Sequence, residues 1–139
     1  MVQEILELAQ HKNHFLEKFF NLNHDEIKFL ENSQLDGLDA FHSAREKLLV
    51  IIQEVDEKIG ARLHRDLQIS ADARETLKIS LRRKDHLVRE ILRQDLTILS
   101  LVQKAKDQVI KDLTEVKKSR QTIGKYRGRL DHLGLDEEI

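Results

Sequence analysis

The stretch ADARETLKISLRRKDHLVREILRQDLTILSLVQKAKDQVIKDLTEVKKSRQTI, residues 71–123, contains neither Gly nor Pro. Those two residues are the main local terminators of a helix. Pro lacks an N–H and clashes with the preceding turn, and Gly adopts the left-handed conformation that closes one. Ser70 or Asp72 can cap the start, and Asp72 with Glu75 has capping-box spacing. The first stop after that is Gly124. Roughly 50 helical residues at 1.5 Å each make an element about 80 Å long. Its seam repeats in sevens through Val88, Asp95, Val102, Val109, Val116 and Ile123. A companion row is formed by Leu81, Leu92, Leu99, Lys106, Leu113 and Arg120. A period of seven sustained that long predicts coiled-coil-like packing with a left-handed twist.

Two further helices precede it. The first runs from about Val2 to Glu31 on Ile5, Leu8, Ala9, Phe15, Phe19, Leu22, Phe29 and Leu30, with a possible kink or split at Asn21–His24. Asn32-Ser33 breaks the pattern, and Ser33 with Asp36 three residues on reads as an N-cap with an acid in the first turn. The second helix then spans about Gln34 to Ile59 on Leu38, Phe41, Arg45, Leu48, Ile52, Val55 and Ile59, with Gly60 as its stop. Residues 61–69 are either a loop or frayed helix ends. The expected fold is all-α, an antiparallel hairpin within a three- to four-helix coiled-coil-like bundle with one very long third helix. Residues 1–123 form one helical domain in this reading, and 124–139 a short mobile tail.

Composition agrees. The chain has 139 residues, no Pro, no Cys, five Gly and a formal charge of −1. That balance excludes sandwich and βαβ nucleotide folds, disulfide frameworks, and thiol or Cys–metal chemistry. The longest aliphatic run, Leu48-Leu49-Val50-Ile51-Ile52, is far short of the ~20 residues that span a bilayer. The N-terminus carries Glu4 and Glu7 where a signal peptide has basic residues, so the expected location is cytoplasmic, with no membrane insertion.

Aligning the second and third helices antiparallel pairs Ile59 with Leu81, Ile52 with Val88, Leu48 with Leu92, Arg45 with Asp95 and Leu38 with Val102. The two polar intrusions then face each other. Either Arg45 and Asp95 form an ion pair that sets the register, or both side chains lean out to solvent. In this register residues beyond Lys106 have no partner from the hairpin, yet the apolar seam continues through Val109, Ile110, Leu113, Val116 and Ile123. Exposed stripes of that kind mark partner sites. Three occupants are open: a foreign helix, a second copy of the chain, or the tail folded back through Leu130, Leu133 and Leu135.

The chemistry of catalysis is not found. His11 and His14 stand at i, i+3 among generic helix-surface residues, and His24, His42, His64, His86 and His132 are scattered. No phosphate-binding Gly-rich loop and no Ser-His-Asp spacing occurs. No enzyme activity, cofactor or metal is expected. Two basic patches occur, Arg82-Arg83-Lys84 and Lys117-Lys118-Ser119-Arg120 with Lys125, Arg127 and Arg129. The second has one aromatic, Tyr126, too few for single-strand stacking, so no nucleic-acid partner is expected.

Three stretches resemble the flagellar type III export chaperones of the FlgN and FliT kind. They are Phe29–Leu38 leading into Ala44–Leu49; Ile91-Leu92-Arg93-Gln94-Asp95-Leu96; and the basic closing stretch Val116–Tyr126. Two features depart from the pattern: Asn32-Ser33 stands in place of Gly-Asp, and Leu96-Thr97 follows Asp95. The resemblance implies a cytoplasmic helical chaperone without ATPase activity. Such a protein holds the C-terminal helical segment of an axial flagellar subunit, a hook–filament junction or filament-cap protein, and delivers it to the export apparatus. Val109, Ile110, Leu113, Val116 and Ile123 would form the client seam, and Lys117, Lys118 and Arg120 would face acidic client or export-gate surfaces. The alternative is a homodimeric coiled-coil adaptor or scaffold without a chaperone role.

Overall fold

The computed structural model describes residues 2–63 and 69–132, with side chains for 3–63 and 69–128. Three helices, and no strand, occur among the described residues: α1 Val2–Glu31, α2 Leu38–Leu63 and α3 Ala71–His132. The chain divides into two compact units, Met1–Leu101 and Val102–Ile139.

The first unit is a three-helix bundle. Glu4 pairs with Arg62 at 2.7 Å and Lys12 with Asp56 at 2.5 Å, so α1 and α2 run antiparallel. Asn13 Nδ2 donates to the Ser80 carbonyl at 2.9 Å, Arg83 pairs with Glu17, and Gln94 Nε2 donates to the Phe20 carbonyl at 3.0 Å. Residue numbers rise together along α1 and α3, which makes those two helices parallel. The central cluster joins all three: Leu16 and Phe19 from α1, Ile52 from α2, Leu87 and Ile91 from α3. Deleting a ring such as that of Phe19 costs about 3–5 kcal/mol in a packed core.

Each helix reaches that core through a seven-residue repeat. On α1 the buried positions are Ile5, Ala9, Asn13, Leu16, Phe19, Asn23, Glu26 and Leu30, so three polar residues occupy seam positions and Phe29 does not. On α2, Phe41, Ile52 and Val55 are buried, as the spacing indicated. On α3 the seam differs from the one read in the sequence. Ser80, Leu87, Ile91, Gln94 and Ile98 are buried, whereas Leu81, Val88, Leu92 and Leu99 are exposed. Leu87 and Ile91 are 6% and 8% exposed, against 57% for Leu92 and 66% for Leu99. The packed row lies one residue earlier than expected, a rotation of about 100° about the helix axis. The cause is that α3 carries two apolar rows side by side, and α1 takes the one that includes Ser80 and Gln94.

The helix ends also correct the reading. Ser33 does not cap α2; it closes α1. Its φ is 59°, its N–H bonds the Leu30 carbonyl at 3.0 Å, and the Gln34 N–H bonds the Phe29 carbonyl at 2.9 Å. Those two bonds around one left-handed residue are the Schellman arrangement. α2 therefore starts at Leu38, four residues after the expected Gln34, with the Gly37 carbonyl accepting from Phe41 N–H at 2.9 Å. α1 is continuous through Asn21–His24. Gly60 does not stop α2, which continues to Leu63, and Gly124 does not stop α3, which continues to His132. Neither glycine has a positive φ, and a Cβ at either would meet nothing within 4 Å. A lone glycine with helical dihedrals weakens a helix by about 1 kcal/mol without ending it. At the start of α3, Ser70 is the cap: its Oγ accepts from Ala73 N–H at 3.2 Å, and its carbonyl accepts from Arg74 N–H at 2.9 Å.

The second unit contains the C-terminal part of α3. Every residue from 106 to 128 is exposed. The tail expected over 124–139 is thus helical to His132; its remainder, including Leu133 and Leu135, lies outside the described residues, as do residues 64–68 with His64.

Candidate functional site

The two polar seam residues expected to face each other do so. Arg45 Nη2 donates to Asp95 Oδ1 at 3.1 Å, with side-chain exposures of 20% and 34%. The sequence reading had no third member, but the structure adds one: Asn23, fully buried on α1, donates its Nδ2 to the same oxygen at 3.2 Å. The Arg45 guanidinium also lies over two rings, 4.9 Å from the centroid of Phe19 and 5.2 Å from that of Phe41. One carboxylate therefore ties α1 and α2 to α3, and the cation it meets is held between aromatic faces. Asn23 stands seven residues from both Leu16 and Leu30, so its seam position was present in the spacing. Its flanking Asn21 and His24 hide that position, because the run also looks like a weak point in the helix.

Further along the α1–α2 seam, Glu26 is buried and its Oε1 has no hydrogen-bond partner among the described residues. Burial pushes its carboxyl above the ordinary carboxylate value of 4.5, with nearby His42 acting in the opposite direction. Glu26 shares a cleft beside the α1–α2 turn with Leu22, Asp25, Phe29, Asp36 and Phe41. Asn13, Asn23 and Gln94 each donate through their amide nitrogen, while their buried oxygens have no partner among the described residues. These amides act as directional links between α1 and α3, where apolar packing alone would tolerate slippage.

The stripe read as a partner surface is exposed along α3. In the second unit Val109, Ile110, Leu113, Val116 and Ile123 are 47–63% exposed, and Lys117, Lys118 and Arg120 are exposed with them. In the first unit the residues assigned to the bundle seam, Leu81, Val88, Leu92 and Leu99, are themselves on an exposed face, together with Leu96. Exposed apolar positions on α3 thus begin at Ile79, 27 residues before Lys106, the point beyond which the helix spacing leaves the seam unpartnered.

The other candidates are engaged locally. His11 and His14 both make T-shaped contacts with Phe15, at 6.1 and 5.5 Å between centroids, and His24 stacks on Phe20. Among the described residues no group of three or more His, Cys, Asp or Glu is placed to hold a metal ion. Of the first basic patch, Arg83 pairs with Glu17 and Lys84 with Asp85 at 3.0 Å. Among the described residues no helix is long and apolar enough to cross a membrane. Comparison with protein-family models, curated proteins and solved structures finds no match.

Proposed function

We propose that this chain is a non-enzymatic binding protein that holds an amphipathic helix of another protein along α3. In its specific form the proposal is a cytoplasmic flagellar export chaperone. Its client would be the C-terminal helical segment of an axial subunit, a hook–filament junction or filament-cap protein, which it shields from premature assembly and delivers to the export apparatus. The observation that carries the reading is the exposed row Val109, Leu113, Val116 and Ile123, spaced at alternating steps of four, three and seven on one helix. Steps of that kind place side chains on one face, where a second helix can interlock with them. The resemblance of Phe29–Leu38 with Ala44–Leu49, of Ile91–Leu96 and of Val116–Tyr126 to the FlgN and FliT chaperones supplies the flagellar part.

The magnitudes suit a client that is held and released. Each of the four aliphatic chains is about half exposed, so covering it contributes about 1 kcal/mol, or roughly 4 kcal/mol for the row. Micromolar binding requires about 8 kcal/mol beyond the cost of association. The apolar row alone therefore does little more than offset the cost of association, and capture of a client needs further contacts beside it.

The test is co-expression with the C-terminal segments of flagellar axial proteins, followed by light scattering of whatever co-elutes. The expected result is one stable complex that is lost when the chain is truncated at Lys106. If no segment co-elutes and the chain alone runs near twice 16.3 kDa, the self-pairing adaptor replaces the chaperone.

A further inference from the structure

We infer that the helix held on the second unit is acidic, and that its carboxylates, meeting Lys106, Arg120 and Arg127 in the seam itself, set its register and exclude a second copy of this chain. This inference rests on the reading of α3 as a docking helix and specifies what docks there.

In a seven-residue repeat the seam has two positions. Val102, Val109, Val116 and Ile123 fill one of them. Lys106, Leu113, Arg120 and Arg127 fill the other, so three of its four entries are cations. All three are exposed. A cation in a seam lowers stability unless the facing residue compensates it, and for that reason it selects partner and register. The first unit already shows compensation in the same repeat. Asp95 stands fourteen residues before Val109 in the first row, and Arg45 meets it at 3.1 Å.

A second copy does not supply that compensation. In a parallel pair each cation faces its own counterpart, so Lys106, Arg120 and Arg127 each oppose a like charge. In a full antiparallel overlap they face Val102, Val109 and Ile123, and none meets a carboxylate. The acids of this segment, Asp107, Asp112 and Glu115, are off the seam positions. The wider charge has the same sign. Residues 102–128 hold eight Lys and Arg against three Asp and Glu, a net of +5, and residues 116–128 hold no acid. A row of lysines, Lys104, Lys111, Lys118 and Lys125, runs along the side opposite the seam. A nucleic-acid backbone would satisfy the cations but leave Val109, Leu113, Val116 and Ile123 against phosphate, whereas an acidic amphipathic helix satisfies both.

The experiment uses the full chain and two synthetic helical peptides of four heptads with identical apolar seam residues. One carries Glu and the other Lys at the positions that face Lys106, Arg120 and Arg127. Affinities are read by fluorescence anisotropy at two salt concentrations, with light scattering of the chain alone. The Glu peptide is expected to bind at least about tenfold more tightly, with the difference shrinking as salt rises. A K106E/R120E/R127E variant is expected to reverse the preference. These side chains are exposed, so the variant keeps its fold, which circular dichroism verifies. Equal binding of both peptides overturns the inference and leaves the docking helix standing. Binding of neither overturns both. A stable dimer of the chain alone, or tighter binding of a single-stranded RNA than of the Glu peptide, overturns the acidic-helix partner.

Discussion

At the residue scale, Asp95 carries the most consequence. It accepts from Arg45 and from Asn23, so removing either partner leaves a polar group short of one bond at the junction of three helices. Arg45→Leu is expected to destabilise by about 1–2 kcal/mol, the cost of an unpaired, partly buried charge. Arg45→Leu with Asp95→Leu recovers only part of this, because Asn23 then loses its acceptor. Adding Asn23→Leu recovers the rest, as chemical denaturation of the four proteins would show. If the single change costs nothing, the pair does not set the register. Ser33 gives a gain in the opposite direction. A left-handed residue with a Cβ costs roughly 1–2 kcal/mol, so Ser33→Gly is expected to stabilise by about 1 kcal/mol and raise the melting temperature by about 4 °C. Glu26 supplies a pH signature. Its carboxyl titrates higher in the folded chain than in the unfolded one, so the folded chain holds the proton more firmly. Stability from this group is present below about 4.5 and is lost as pH rises through the raised folded value. Glu26→Gln is expected to flatten that decline and to stabilise the chain at neutral pH, which thermal melts across pH 4–8 would detect.

At the scale of elements, the helices were legible because their periodicity is long and uninterrupted, and the errors fall at their ends and faces. Composition and spacing place α1, most of α2 and the start of α3. Ser33 was misread because Ser is a common N-cap, and only the hydrogen bonds of Leu30 and Phe29 show that it closes the helix before it. Gly60 and Gly124 look like stops because glycine commonly closes helices, but a glycine ends a helix only where it takes the left-handed conformation itself, and neither of these does. Gly60→Ala and Gly124→Ala are therefore each expected to strengthen their helix by about 1 kcal/mol, the first raising the melting temperature and the second the helical ellipticity. The one-residue error in the α3 seam has a different origin. Two apolar rows lie side by side on that helix, and periodicity cannot say which of them α1 takes. Buried Ser80 and Gln94 decide it, because Gln94 reaches the Phe20 carbonyl and Asn13 reaches that of Ser80. The Arg45–Asp95 contact was legible despite this, since a long polar pair spans a rotation that a valine does not.

At the scale of the whole molecule, the candidate surface was legible as an excess: α3 has more apolar seam than the preceding helices can cover. The exposed set proves larger than the excess suggested, because the packed row in the first unit is the neighbouring one. A single row of half-exposed aliphatics separated by cations suits reversible capture of another protein's helix better than permanent assembly. The most direct measurement is isothermal titration of the C-terminal segments of axial flagellar proteins into the full chain and into L113D/V116D. The expected result is that one segment binds one-to-one and loses at least about 30-fold in affinity to the double variant, the equivalent of two covered aliphatic side chains at about 1 kcal/mol each. No binding by any segment, or equal binding to both proteins, would contradict the reading of α3 as the helix that holds the client.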